Sequence, residues 1–227
     1  MQRHFLTRPR AWRAERMGLF WKRSVAWQYG QAQANDRAIW DNDPRKEQMR
    51  EADAAFKIAP VIGFHRILAF AEQGSVWSMA WVGWAYSKGR GTLRDVVLAE
   101  DWNRRAFEGG SHWGLLGYGS SLWLRGDFVK CEQVYGVGAA NDLAPALYWL
   151  ALCRLHLCDT RKTLREVRPL LERASAQGCL AARYWLAKWM LRGRFGLREI
   201  LHGHRLMWSL SDVILRGDED GKMGSRR

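Results

Sequence analysis

Three short stretches bring together side chains able to do chemistry. Cys153-Arg-Leu-His156-Leu-Cys158 offers three metal-ligating groups. On a helix, Cys153 and His156 share a face, but Cys158 falls off it and no fourth ligand stands near, so a tetrahedral zinc site is not built from these residues. His202-Gly-His204 would converge on an ion only along an extended chain, because on a helix the two rings point apart. Gly89-Arg90-Gly91 precedes a helix and could offer backbone N–H groups to a phosphate, yet it has neither the length nor the Lys-Ser/Thr of a P-loop. No Ser-His-Asp or Cys-His arrangement is marked locally, and Glu100-Asp101 and Asp218-Glu219-Asp220 read as solvated charges. These residues predict no catalytic centre, no metal site and no cofactor. Cys131, Cys153, Cys158 and Cys179 contain no Cys-x-x-Cys pair, and reduced thiols in a cytosolic protein are the simplest reading of them.

What remains is recognition. The 227 residues include 14 tryptophans, which call for heavy aromatic packing, an aromatic binding surface, or both. Lys and Arg number 36 against 23 Asp and Glu, a net charge of +13, which favours acidic proteins, nucleic acid or anionic surfaces as partners, or a merely solvated surface. Proline is scarce and Ala, Leu, Arg, Trp and Glu dominate, which favours helix. The longest apolar stretch, over residues 77–86, is too short to span a bilayer, and the N-terminus lacks a secretory apolar core, so a soluble, cytoplasmic protein is expected.

The elements that position the aromatic and basic residues repeat. Residues 76–111 divide into an apolar helix over 77–87, a Gly-Arg-Gly turn over 88–93, and an amphipathic helix over 95–108 closed by Gly109 and Gly110. The ending Glu108-Gly109-Gly110-Ser111 has counterparts in Glu72-Gln73-Gly74-Ser75 and Ala176-Gln177-Gly178-Cys179, with Ala139-Ala140-Asn141-Asp142 as a degenerate copy. The turn recurs as Gly193-Arg194-Phe195-Gly196 and more weakly as Gly126-Asp127-Phe128. Two helices per unit of roughly 31–37 residues signal an α-solenoid. Two further helices, over 44–58 and 61–73, are separated at Pro60. The segment over 34–44 reads as a linker because Asn and Asp cluster there.

As a set, Val82-Gly83, Tyr86, Gly89, Gly91, Asp95, Ala99, Trp102, Ala106 and Gly109 closely resemble the Sel1-like repeat, a branch of the tetratricopeptide-like solenoids. The units over 112–142, 144–178 and 179–215 match less well; the first of these should have a short second helix, and the second lacks the Gly-x-Gly turn. The resemblance implies an all-α, right-handed solenoid of about four degenerate helix-turn-helix repeats over residues 44–216. It also implies that the first helices line the concave face, and that the protein is a non-catalytic adaptor holding protein partners.

Aligning the units on their turns places Trp81, Tyr118, Trp149 and Trp185 in one aromatic row. Seven residues on stand Lys88, Arg125, His156 and Arg192, on the same helix face. Trp77 and Trp84 extend the stripe in the best-formed unit. These ten residues are the expected partner-binding set. They would make an aromatic and basic groove for an acidic or extended segment of a partner, unless the aromatics are inter-repeat core and the cations simply solvated. Alternatives are an immunity- or inhibitor-type protein clamping one tight partner, and nucleic-acid binding. Another is contact with the inner face of a membrane through residues 1–30, where Met1 to Arg23 carries seven Lys/Arg and Trp12, Leu19, Phe20 and Trp27 fall near one helix face. No small-molecule substrate is expected. Residues 1–43 are read as a basic, aromatic capping segment and 217–227 as a disordered charged tail.

Overall fold

The computed structural model describes residues 30 and 32–210, and among these the chain is helical with no strand. Helix α1 covers 32–42; α2 is Lys46–Ile58, α3 Pro60–Glu72, α4 Val76–Lys88 and α5 Val96–Glu108. Then come α6 His112–Arg125, α7 Phe128–Ala140, α8 Ala144–Leu157, α9 Arg161–Ala176 and α10 Leu180–Leu191. A short 3-10 turn, Leu197–Glu199, leads into α11 over 200–210. From α2 on, the helices pair into successive hairpins.

Local chemistry sets each boundary. Pro60 opens α3, where a missing N–H costs nothing, while Ala59 stands out of helical geometry. Asp95 caps α5, its Oδ1 accepting from Val97 N and Leu98 N at 2.9 Å each. Gly89 ends α4 in the left-handed conformation. Gly91, at φ +73, lies so close to Pro60 O, Phe56 and Phe64 that a Cβ there would overlap them, which is why the turn needs its second glycine. This turn therefore docks the α4–α5 hairpin on the α2–α3 hairpin before it.

The junction between hairpins is one structure used four times. Gly74, Gly110, Asp142 and Gly178 hold φ of 93°, 90°, 55° and 95°. The next residue's N–H reaches back to close the preceding helix: Ser75 to Phe70 O, Ser111 to Ala106 O, Leu143 to Gly138 O and Cys179 to Ala174 O, at 2.9–3.0 Å. The expected degenerate copy over 139–142 is therefore present but lies one residue later, over 140–143, with Asp142 rather than Asn141 in the glycine position.

In the middle of the stack, first helices of successive hairpins approach one another. α4 touches α6 and α6 touches α8, whereas α5, α7 and α9 make no comparable contact with one another. Small residues allow this approach. Gly83 of α4 and Gly117 of α6 both face the Asn103 carboxamide of α5, and a Cβ on either would overlap it. Between the layers runs the core, with Val82, Leu122, Leu147, Leu171 and Leu186 shut from solvent. Each such side chain contributes about 1.5–3 kcal/mol by burial.

Two expectations are corrected. α7 is not short; at 13 residues it equals α5. Gly136 and Gly138 look like breakers in sequence, but Gly138 is where α7 meets α8, and a Cβ there would lie 2.6 Å from Ala146 Cβ. Nor are residues 34–42 a linker, because they belong to α1. The polar groups that suggested a loop have tertiary partners: Asn35 Nδ2 donates to Gly110 O at 3.0 Å, and Asp36 accepts from Ser111 Oγ and from Trp113 N. The expected basic amphipathic helix over 1–23, its membrane contact, and the charged tail over 217–227 lie outside the described residues.

Candidate interaction surface

The ten expected residues all lie on the first helix of a hairpin or, for Arg192, on a helix cap. They divide by depth. Trp81 and Tyr118 are buried, at 8% and 6% exposure. Trp81 meets Phe56 of α2 edge-on at 4.5 Å, and Tyr118 lies 6.1 Å from Phe107 of α5. Trp149 and Trp185 are half-buried. Trp149 stacks on Tyr135 of α7 at 5.9 Å and meets Trp123 of α6 at 5.3 Å. Trp185 lies between Tyr184 and Trp189 of its own helix. The first two rings of the row are therefore buried between neighbouring helices, and the last two remain partly open to solvent.

The α4 stripe is partly covered by the chain itself. Trp77 meets Trp40 of α1 at 4.3 Å, and Trp84 lies 6.4 Å from Phe56, remaining 37% exposed. α1 runs along the starts of the first helices, Trp40 against α4 and Asp36 against α6. This strap was not legible as such; a bare Asn-Asp pair carries no signal for the helix it will cap.

All four residues of the basic row are exposed. It also has a structural reason to exist. Lys88 ends α4, Arg125 ends α6, His156 is in the last turn of α8 and Arg192 follows α10, so each cation sits where the helix macrodipole is negative. Their partners differ. Arg125 pairs with Glu100 at 2.8 Å and Asp127 at 3.6 Å. The His156 ring lies 3.7 Å from Phe128 and 5.6 Å from Trp123. Among the described residues, Lys88 and Arg192 make no ion pair. Near Arg192, Lys188 Nζ sits 4.4 Å above the Trp185 ring; burial and the Arg192 charge both push its pKa down.

An open hollow of about 380 Å³ is lined by Glu132, Arg154, Leu157, Cys158, Thr163 and Glu166, none of them a member of this row. Its central charges already pair, Arg154 Nε donating to Glu132 at 2.9 Å. Cys153 faces Cys131 in the interior while His156 and Cys158 are exposed, so the three do not converge.

Among solved structures, this architecture is similar to a protective antigen of uropathogenic Escherichia coli strains displaying an SLR (Sel1-like repeat) fold, with a TM-score of 0.60 and 21% identity. It is similar also to a Sel1 repeat protein from Oxalobacter formigenes, with a TM-score of 0.59 and 19% identity. The chain has the Sel1-like repeat fold. The match to the Oxalobacter protein covers 73% of this chain and 70% of that chain. The match to the antigen covers 67% of this chain but only 35% of the antigen's length. No family model matches the solenoid's sequence, and no curated protein matches it. At these identities the likeness is one of fold. No helix among the described residues is long and apolar enough to cross a membrane.

Proposed function

We propose that this Sel1-like repeat solenoid is a non-catalytic scaffold whose concave face holds an acidic segment of a partner protein. The observation that carries this reading is the exposed row of cations along the ends of the first helices, two of which, Lys88 and Arg192, have no carboxylate to neutralise them among the described residues. A cation that already pairs on its own surface adds little on binding, whereas an uncompensated one steers an acidic partner and pairs with it. Lys88, Arg192 and Lys188 are thus the electrostatic contacts. Trp84, Trp149 and Trp185 are the aromatic anchors, with edges open to the groove. Trp81, Tyr118 and Trp77 support the groove from within, and Arg125 and His156 hold its rim.

The test is affinity capture from native lysate, with and without nuclease and at low and high salt, repeated with K88E/R192E and with W81A. A stoichiometric protein partner that K88E/R192E releases at unchanged melting temperature supports the reading. W81A should instead melt early, losing about 3–5 kcal/mol as a core aromatic does. Recovery of only nucleic acid or lipid, lost with salt and indifferent to K88E/R192E, would sink the groove.

A further inference from the structure

The joint between α7 and α8 carries an arrangement that the binding reading does not use. Cys131 of α7 and Cys153 of α8 are both wholly buried free thiols, and their Sγ atoms lie 3.1 Å apart. That is about 1 Å longer than a disulfide bond. The Cys131 thiol has one other partner, Gly119 O at 3.4 Å.

The approach is built into the whole interface. α7 and α8 run antiparallel. One turn from the thiols Tyr135 stacks on Trp149 at 5.9 Å with planes 13° apart, and further along Gly138 meets Ala146. On the other side Glu132 and Arg154, each next to a cysteine, pair at 2.9 Å. An aromatic stack, a small-residue contact and an ion pair therefore hold one register, and that register sets sulfur against sulfur. The other cysteines have no such setting: Cys179 is buried apart from them, and Cys158 is exposed.

We propose that Cys131 and Cys153 are a disulfide-forming pair, a redox staple that locks the joint between two repeats. The oxidant is a disulfide of the glutathione class. One protein thiolate attacks it, releasing one glutathione thiol. The second protein thiolate then attacks the mixed disulfide, forming the Cys131–Cys153 bond and releasing the second glutathione thiol. Two protein thiols are oxidised, one external disulfide is reduced, and the two protons pass to the departing thiols. The hydrogen bond with the Cys131 thiol, and then burial, raise the pKa of Cys153, so exchange proceeds when the joint opens or before the repeats close, not in the closed stack.

The experiment is a redox titration of the full chain. Wild type and C158S are equilibrated in glutathione buffers of increasing oxidised fraction, both folded and after refolding in each buffer. They are then quenched with acid, alkylated in denaturant and weighed. The expected result is loss of two alkylation sites together, with a peptide map linking the Cys131 and Cys153 peptides in both proteins. The oxidised form should also melt several degrees higher, because the staple closes a loop of the unfolded chain. In C131S and C153S, no intramolecular bond should form. Full alkylation of both cysteines at every ratio, in folded and refolded protein alike, would overturn the proposal. So would a link that maps to Cys158 or Cys179.

Discussion

Replacing Asp36 with Ala should release α1 from the solenoid while leaving the repeats folded. The Asp36 side chain is 1% exposed. One carboxylate oxygen accepts from Ser111 Oγ, and the other accepts from Trp113 N at 3.1 Å. Ser111 Oγ in turn accepts from Gly114 N at 2.9 Å, so the first turn of α6 is satisfied by a relay that begins in α1. Each charge-assisted bond is worth about 1.5–3 kcal/mol. An anion at a helix N-terminus adds roughly 0.3–1 kcal/mol. Against these stands the cost of burying the carboxylate, which outweighs the lowering effect of the hydrogen bonds and raises the Asp36 pKa above its ordinary value. The net loss should be about 2–3 kcal/mol. Because α1 packs at one edge of the stack, the loss falls on its docking. Amide exchange in residues 32–42 should then rise about 30- to 150-fold, with the helices from α7 on unchanged. Two results would refute this: unchanged exchange in residues 32–42, or uniform acceleration along the whole chain, which would make α1 part of a single cooperative unit.

The same site has two opposed pH dependences. Asp36 binds its proton more tightly when docked, so its contribution to docking grows as pH falls through its raised pKa toward the ordinary 3.9 or so. His112 is held below its usual value, first by burial, although the Asp36 charge opposes this; its contribution is present above about pH 6.5 and is lost as pH falls below that. H112Q should therefore leave only tightening with acid, followed by exchange of residues 32–42. At the three-helix contact, Gly117→Ala drives a Cβ into Asn103 and should cost about 1–3 kcal/mol. The G117A/N103A double variant should cost less than the sum of the singles in denaturant unfolding, and strict additivity would show that the two do not press on each other. At the third junction, Asp142→Gly should be more stable than Asp142→Ala by about 1 kcal/mol, because both lose the exposed Arg173 pair but only Ala resists the left-handed backbone. Thermal melting would show that as a difference of roughly 2–4 °C.

The repeat architecture is legible in the sequence because its boundaries are made by local chemistry. A left-handed residue at each junction and, in the repeats from α4 to α7, a glycine ending the first helix and an Asp or Ser opening the next are properties of a few adjacent residues. α4 and α5 accordingly start and stop within one residue of expectation. What failed was decided at a distance. Asn35 and Asp36 look like turn residues until Gly110 and Ser111, 75 positions away, supply their partners. Gly138 looks like a break until Ala146 of the next helix comes against it. The thiol pair was missed for the same reason, because a 22-residue separation carries no motif when the contact is created by the register of two helices.

The candidate groove shows the same division. A row of aromatics at equivalent repeat positions identifies one helix face, but the previous hairpin decides whether that face is covered. α2 covers Trp81 with Phe56, whereas α6 and α7 leave part of Trp149 open. The basic row has two sufficient causes. A cation at each helix end is favoured by the macrodipole whether or not a partner exists, at roughly 0.3–1 kcal/mol apiece. Recurrence alone therefore cannot argue for binding. The information lies in the differences along the row: Arg125 has two carboxylates and His156 has an aromatic bed, while Lys88 and Arg192 keep the helix-end position without a neutralising neighbour among the described residues. Charge reversal separates the two causes. If the dipole is the whole reason, K88E and R192E each lower stability by the helix-end amount and nothing else changes. If the cations receive a partner, capture is lost out of proportion to that small destabilisation, and R125E, whose cation already has partners on its own surface, weakens capture less than either.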